Sequence, residues 1–262
     1  MRRIAKFWYR LVRVRTGHKR KPEKREKMKA GDAVTLEAGN KKIQIFCSKQ
    51  KAPLIIYHAV MGEGKRLWQA CQDIDCPEFS LAVINGVNWD DEMTPWPIPP
   101  ISKGDTPCSG GADIYLKQLT GELLPQIEAS LLFPPEYCVL AGYSLAGLFA
   151  VYAAYKTDCF SRIVSASGSL WYPDFVRFVR QNQISEKTEV IYFSLGDKES
   201  HTKNPYLAPV EENTRLLSLY FSEKGIRTTF HLNKGNHYQN STGRTAAGIK
   251  WILQQQLKEK HI

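Results

Sequence analysis

Residues 137–150 read YCVLAGYSLAGLFA, and the reading of this stretch decides the architecture around it. Tyr137 to Tyr143 is a short, nearly continuous apolar run, the pattern of a strand buried on both faces. From Leu145 onward LAGLFAVYAAYK is Ala-rich and apolar and reads as a helix. Between them stands Ser144, with Gly142, Ala146 and Gly147 around it. A strand that turns sharply into a helix needs small residues at those positions, because the two backbones approach closely there. The pattern is G-x-S-x-A-G, with Ala146 small enough for the same steric role. A serine acting only as helix N-cap would need no such flanks. Ser144 is therefore read as a nucleophile on an elbow, where free helix amides and the dipole favour developing negative charge.

Outward from this point, apolar runs and helical patterns alternate. AVTLEA and KKIQIFCS flank Gly39-Asn40 as an antiparallel hairpin. PLIIYHA (53–59) precedes a helical stretch at 66–72, and SLAVINGV (80–87) precedes a long loop at 88–110. A helix is expected over 112–131, with Tyr115, Leu116, Leu119, Leu123 and Leu124 on one face. RIVSASGS (162–169), TEVIYFSLG (188–196) and TTFHLNKG (228–235) follow as strands, each leading into a helix. The expected fold is α/β: a mostly parallel central sheet with an N-terminal antiparallel hairpin and helices on both faces. In such sheets chemistry collects beyond the carboxyl ends of the strands. The 88–110 loop, with its prolines and tryptophans, suits an ordered lid or pocket wall.

Position then selects partners for Ser144. In this architecture an acid and then a histidine follow the serine along the chain. Of six histidines, His18 lies near the amino terminus, His261 at the carboxyl end, His231 within a strand pattern and His58 at the end of an early strand, which leaves His201 and His237 in downstream loops. His237, in Gly235-Asn236-His237 between the last strand and the last helix, is the expected base. The acid should follow TEVIYFSLG, where both Asp197 and Glu199 stand; spacing alone leaves the two open. Trp171, after RIVSASGS, and Trp96, in the long loop, are placed with His58 as walls of a substrate pocket, although aromatics are also common core fillers.

The net charge of +10 suggests nucleic acid until it is mapped. Residues 1–29 hold thirteen Lys and Arg against two Glu, whereas the rest balances twenty-three basic against twenty-four acidic side chains. The expected organisation is a basic extension, 1–29, and a catalytic domain, 30–262, with no nucleic-acid partner for the domain. Apolar residues at helical spacing in the extension suit a weak contact with an anionic membrane surface or a protein groove, or a merely solvated segment. Arg10, Arg13 and Arg15 interrupt any secretory signal, and the six cysteines show no zinc-ligand spacing. A cytoplasmic protein with reduced thiols, and with neither metal nor organic cofactor, is expected.

These motifs resemble the putative-esterase family of α/β hydrolases, which includes esterase D, feruloyl esterases and enterochelin-type siderophore esterases. The resemblance rests on YHAVMGEG, GGADIYL, AGYSLAGLFA, SASGSLWYP, SLGDKE and KGNHY and covers roughly residues 34–258 in element order. It implies that the acid is Glu199, three residues beyond Gly196, and that the oxyanion hole uses the amides of Leu145 and Val60. Many relatives have His-Gly or Asp-Gly where this chain has His58-Ala59. The implied activity is that of a serine esterase acting on a small-molecule ester through an acyl-enzyme. An acyltransferase or peptidase would use the same residues, and a non-catalytic binding module would need none of them.

Overall fold

The computed structural model describes residues 33–60 and 62–256; the basic segment 1–29 and its helical pattern lie outside the described residues. The hairpin is β1 (Ala33–Ala38) and β2 (Lys41–Phe46), and β2 continues antiparallel to β4 (Ser80–Asn85). The parallel strands β3 (Leu54–His58), β5 (Cys138–Tyr143), β6 (Arg162–Ala166), β7 (Val190–Gly196) and β8 (Arg227–Asn233) complete one eight-stranded sheet, ordered β1-β2-β4-β3-β5-β6-β7-β8. The near-continuous apolar runs become the strands buried on both faces, as in β3 and β7, whose residues are all buried.

Side-chain alternation divides the core. In β4, Leu81 and Val83 enter one apolar cluster while Ala82 and Ile84 enter the other. The first cluster is closed by α1 (Gly64–Asp73) and α8 (Ser241–Leu253), through Leu67, Cys71, Ile249 and Ile252. The opposite cluster is closed by α5 (Leu145–Ala153), α6 (Phe175–Gln181) and α7 (Val210–Glu223), among others. Every residue of α5 is buried, which is why that helix is apolar all round.

Two expected elements differ in detail. The helix expected over 112–131 is α3 (Ala112–Gln118), a π-helical segment (Leu119–Leu123) and α4 (Leu124–Ser130). Pro125 has no amide to offer the carbonyl of Gly121, so the turn widens at this point. The 88–110 loop opens with the short helix α2 (Trp89–Glu92) and is closed by reciprocal backbone bonds between Ile98 and Cys108, both 3.1 Å. Lys41, 1% exposed, anchors it, with Nζ 2.6 Å from Glu92 and 2.9 Å from the Gly86 carbonyl.

The carboxyl ends of β5, β6, β7 and β8 deliver Ser144, Ser167, Glu199 and His237 to one edge of the sheet. Among the described residues, no helix is long and apolar enough to cross a membrane.

Candidate active site

Ser144 occupies φ 58°, ψ −126°, a conformation that costs a non-glycine residue about 1–3 kcal/mol and persists only where surroundings impose it. Here they do. Its amide donates to the Ala166 carbonyl at 3.2 Å, and its carbonyl accepts Gly147, Leu148 and Ser169 amides at 2.9, 3.2 and 3.0 Å. The small neighbours are a steric requirement: a Cβ on Gly142 would lie 2.1 Å from the Ala146 carbonyl oxygen.

Ser144 Oγ lies 3.0 Å from His237 Nε2, and His237 Nδ1 lies 2.7 Å from Glu199 Oε2. His237 is held from outside its ring: its carbonyl accepts the Tyr143 hydroxyl at 2.5 Å, and its ring stands 5.3 Å from the Tyr143 ring. The Glu199 side chain is only 5% exposed. Burial would raise its carboxyl, but the hydrogen bond and charge of His237, then the Gly196 amide and the Ser167 hydroxyl, hold it below the ordinary carboxylate range.

Glu199 Oε1 receives three further donors: the Gly196 amide at 2.7 Å, Ser167 Oγ at 2.8 Å and Arg244 Nη1 at 2.9 Å. Arg244, in the first turn of α8, also donates to Ser167 Oγ at 3.0 Å and the Lys234 carbonyl at 3.1 Å. Sequence reading missed both Ser167 and Arg244. For Arg244 a signal existed: it is a lone cation beside Thr245 and Ala246, one turn before Gly248, on the face α8 turns to the sheet. Ser167 lay within the quoted SASGS run with nothing to distinguish it from its serine neighbours.

The other expected site residues part company. Asp197, the alternative acid, points elsewhere: its Oδ1 accepts the Gly235 amide at 2.8 Å. Trp171 lines the cleft. Trp96 does not; its ring packs on Tyr172, Phe175 and Phe178 at 5.8, 6.3 and 5.6 Å, and its Nε1 donates to Pro173. That expectation is corrected, because an indole buries more apolar area in an aromatic cluster than at a cleft rim. His58 is corrected likewise: it is 1% exposed and does not line the cleft, with Nε2 2.8 Å from the Tyr115 hydroxyl and its ring against Phe149. Leu145 heads α5 and lines the cleft; the first amides of a helix have no intrahelical acceptor. Val60, two residues beyond β3, has a 60% exposed side chain.

The cleft over Ser144 has a volume of about 760 Å³. One wall is the 88–110 loop, through Trp89, Pro99, Ile101 and Cys108; Trp171, His201 and Tyr238 stand elsewhere around it. The wall expected of that loop is present.

Sheet order, elbow and strand-end groups together define an α/β hydrolase. Residues 69–241, well over half the chain, match the model of the "Putative esterase" family, and the chain belongs to that family. It is accordingly a carboxylic ester hydrolase. A Bacillus subtilis (strain 168) protein, "Uncharacterized protein YbbA", is 27% identical over 194 residues, covering 71% of this chain and 78% of that one. Among solved structures, an IroE-like serine hydrolase from Shewanella oneidensis superposes with TM-score 0.68 at 16% identity, over 85% of this chain and 79% of that one. The siderophore hydrolase EstA from Aspergillus nidulans gives 0.65 at 16% identity, over 84% and 93%. Identities this low speak for the shared fold alone.

Proposed function

We propose that this esterase works by two-step acyl transfer through Ser144, His237 and Glu199. The single observation that carries the reading is the continuous chain from Ser144 Oγ to His237 Nε2, 3.0 Å, and from His237 Nδ1 to Glu199 Oε2, 2.7 Å. With its proton on Nδ1, His237 donates to Glu199 and leaves Nε2 free to accept the serine proton. Ser144 Oγ then attacks the ester carbonyl carbon, and the carbonyl oxygen takes the negative charge. The Leu145 amide, with the Val60 amide as proposed second donor, stabilises that oxyanion. Imidazolium returns its proton to the departing alcohol. A water, deprotonated by the same nitrogen, attacks the acyl-enzyme and releases the acid and Ser144. No step requires a metal or organic cofactor.

Two further assignments belong to this reading. The six free thiols suit a reducing, cytoplasmic setting. Residues 1–29 are assigned a weak surface or protein contact that truncation would abolish while hydrolysis persists.

The test is hydrolysis of p-nitrophenyl esters from acetate to decanoate by wild type and Ser144→Ala, both checked for folding by circular dichroism. Turnover by wild type and background rates for the variant are expected, together with fluorophosphonate labelling of wild type only. A variant as active as wild type would remove Ser144 from the mechanism.

A further inference from the structure

Arg244 stands where local forces disfavour a cation. It lies in the first turn of α8, at the positive end of the helix dipole, and its side chain is 1% exposed. Removing a guanidinium from water is costly unless its charge is paired. Something specific therefore holds it there. Nη1 reaches Glu199 Oε1 at 2.9 Å and Ser167 Oγ at 3.0 Å, and Nη2 reaches the Lys234 carbonyl at 3.1 Å. One planar group thus touches the acid itself and the loop that carries the base.

We propose that Arg244 is a positioning residue of this esterase, fixing Glu199 through Oε1 so that Oε2 stays on His237 Nδ1. The inference rests on the reading of Ser144, His237 and Glu199 as the catalytic set. Its geometric basis is a division of labour within one carboxylate. Oε1 receives donors from the ends of β6 and β7 and from α8, whereas Oε2 is left to the imidazole. A carboxylate held at three points on one oxygen cannot swing away as charge moves onto the histidine.

A tie that only joined the loops would leave kcat and its pH profile unchanged in a variant that still folds. The positioning role would not. A buried cation behind Glu199 opposes positive charge on the catalytic pair, so removing it should move the acid limb of the pH–rate profile upward. Other charged or titratable groups around the pair are Tyr143 from β5, Asp197, Lys198 and His201 on the acid loop, Lys234 and Tyr238 on the base loop, and Asp90 and Asp105 across the cleft. Lys198, Lys234 and His201 among these are exposed to screening solvent, whereas Arg244 is not.

The experiment measures kcat and kcat/KM against pH with p-nitrophenyl acetate for wild type, Arg244→Met, Arg244→Gln and Arg244→Lys. Both neutral variants should move the acid limb of kcat/KM upward by roughly half to one pH unit. They should lower kcat roughly ten- to a hundredfold with KM within about twofold. Arg244→Lys, which restores the charge, should return the limb to the wild-type position and recover much of kcat. Arg244→Gln retains a donor for Glu199 and carries the test if Arg244→Met does not fold. An unmoved limb in the neutral variants, or no rescue by lysine, would overturn the proposal. Ser144→Ala, assayed alongside, separates the two ideas. If it is active, the underlying catalytic set is wrong; if it is inactive while the limb stays put, only the role of Arg244 fails.

Discussion

Asp197 accepts the Gly235 amide at 2.8 Å, two residues before His237 in the chain, while Glu199 meets the imidazole itself. The two carboxylates of one loop therefore serve the same histidine differently. One holds the backbone two residues before it and the other holds its ring. The Lys198 amide, donating to the Gly235 carbonyl at 3.2 Å, completes the clasp between the loops.

That division predicts unequal losses. Glu199→Gln should lower kcat on the order of 10³–10⁴-fold, because the amide favours the wrong imidazole tautomer. Asp197→Ala should lower it less than about tenfold and cost roughly 1–2 kcal/mol of stability through the unpaired amide. Steady-state kinetics beside urea unfolding reads both. Equal kinetic losses would refute the assignment of the acid.

His58 predicts a pH dependence of stability. Burial first, and then the charge of Lys41, push its pKa down to about 3, against about 6.5 in the unfolded chain. Between those values the unfolded state binds a proton that the folded state does not. Stability therefore falls as the pH drops from about 6.5, by up to about 1.4 kcal/mol per pH unit from this residue. Glu199, whose carboxyl is held low, contributes stability that is lost only at lower pH, from the unfolded carboxylate value downward. Urea unfolding between pH 5 and 6.5 thus isolates the histidine. His58→Gln should flatten the slope there by close to one proton; an unchanged slope would exclude a neutral buried imidazole.

The two tryptophans expected as pocket walls should differ in what their removal costs. Trp96→Ala removes a partly buried indole from the Tyr172–Phe175–Phe178 cluster and its bond to the Pro173 carbonyl, and should cost about 2–4 kcal/mol with KM for the best p-nitrophenyl ester unchanged. Trp171→Ala opens the cleft it lines and should change KM severalfold while costing about 1–2 kcal/mol. Denaturation midpoints and chain-length profiles measure the two effects independently.

What could be read from the linear chain was local or periodic. Apolar runs of strand length, Gly39-Asn40 between alternating segments and small residues around Ser144 each report a constraint acting within a few residues. They were enough to place every strand, the elbow and the loop carrying His237. Position beyond a strand end then nominated Asp197 and Glu199 together, and only family resemblance preferred one. The choice between them, and the recruitment of Arg244 and Ser167, depends on groups far apart in sequence: Ser167 and Glu199 are separated by 32 residues, Glu199 and Arg244 by 45. Trp96 and His58 show the same boundary from the other side. An aromatic or histidine near a strand end looks identical in sequence whether it faces the cleft or the core. Packing of His58 against Phe149 of α5 and Tyr115, and of Trp96 against Tyr172, Phe175 and Phe178, decides which, because burial and hydrogen bonding are properties of the assembled sheet and not of the segment.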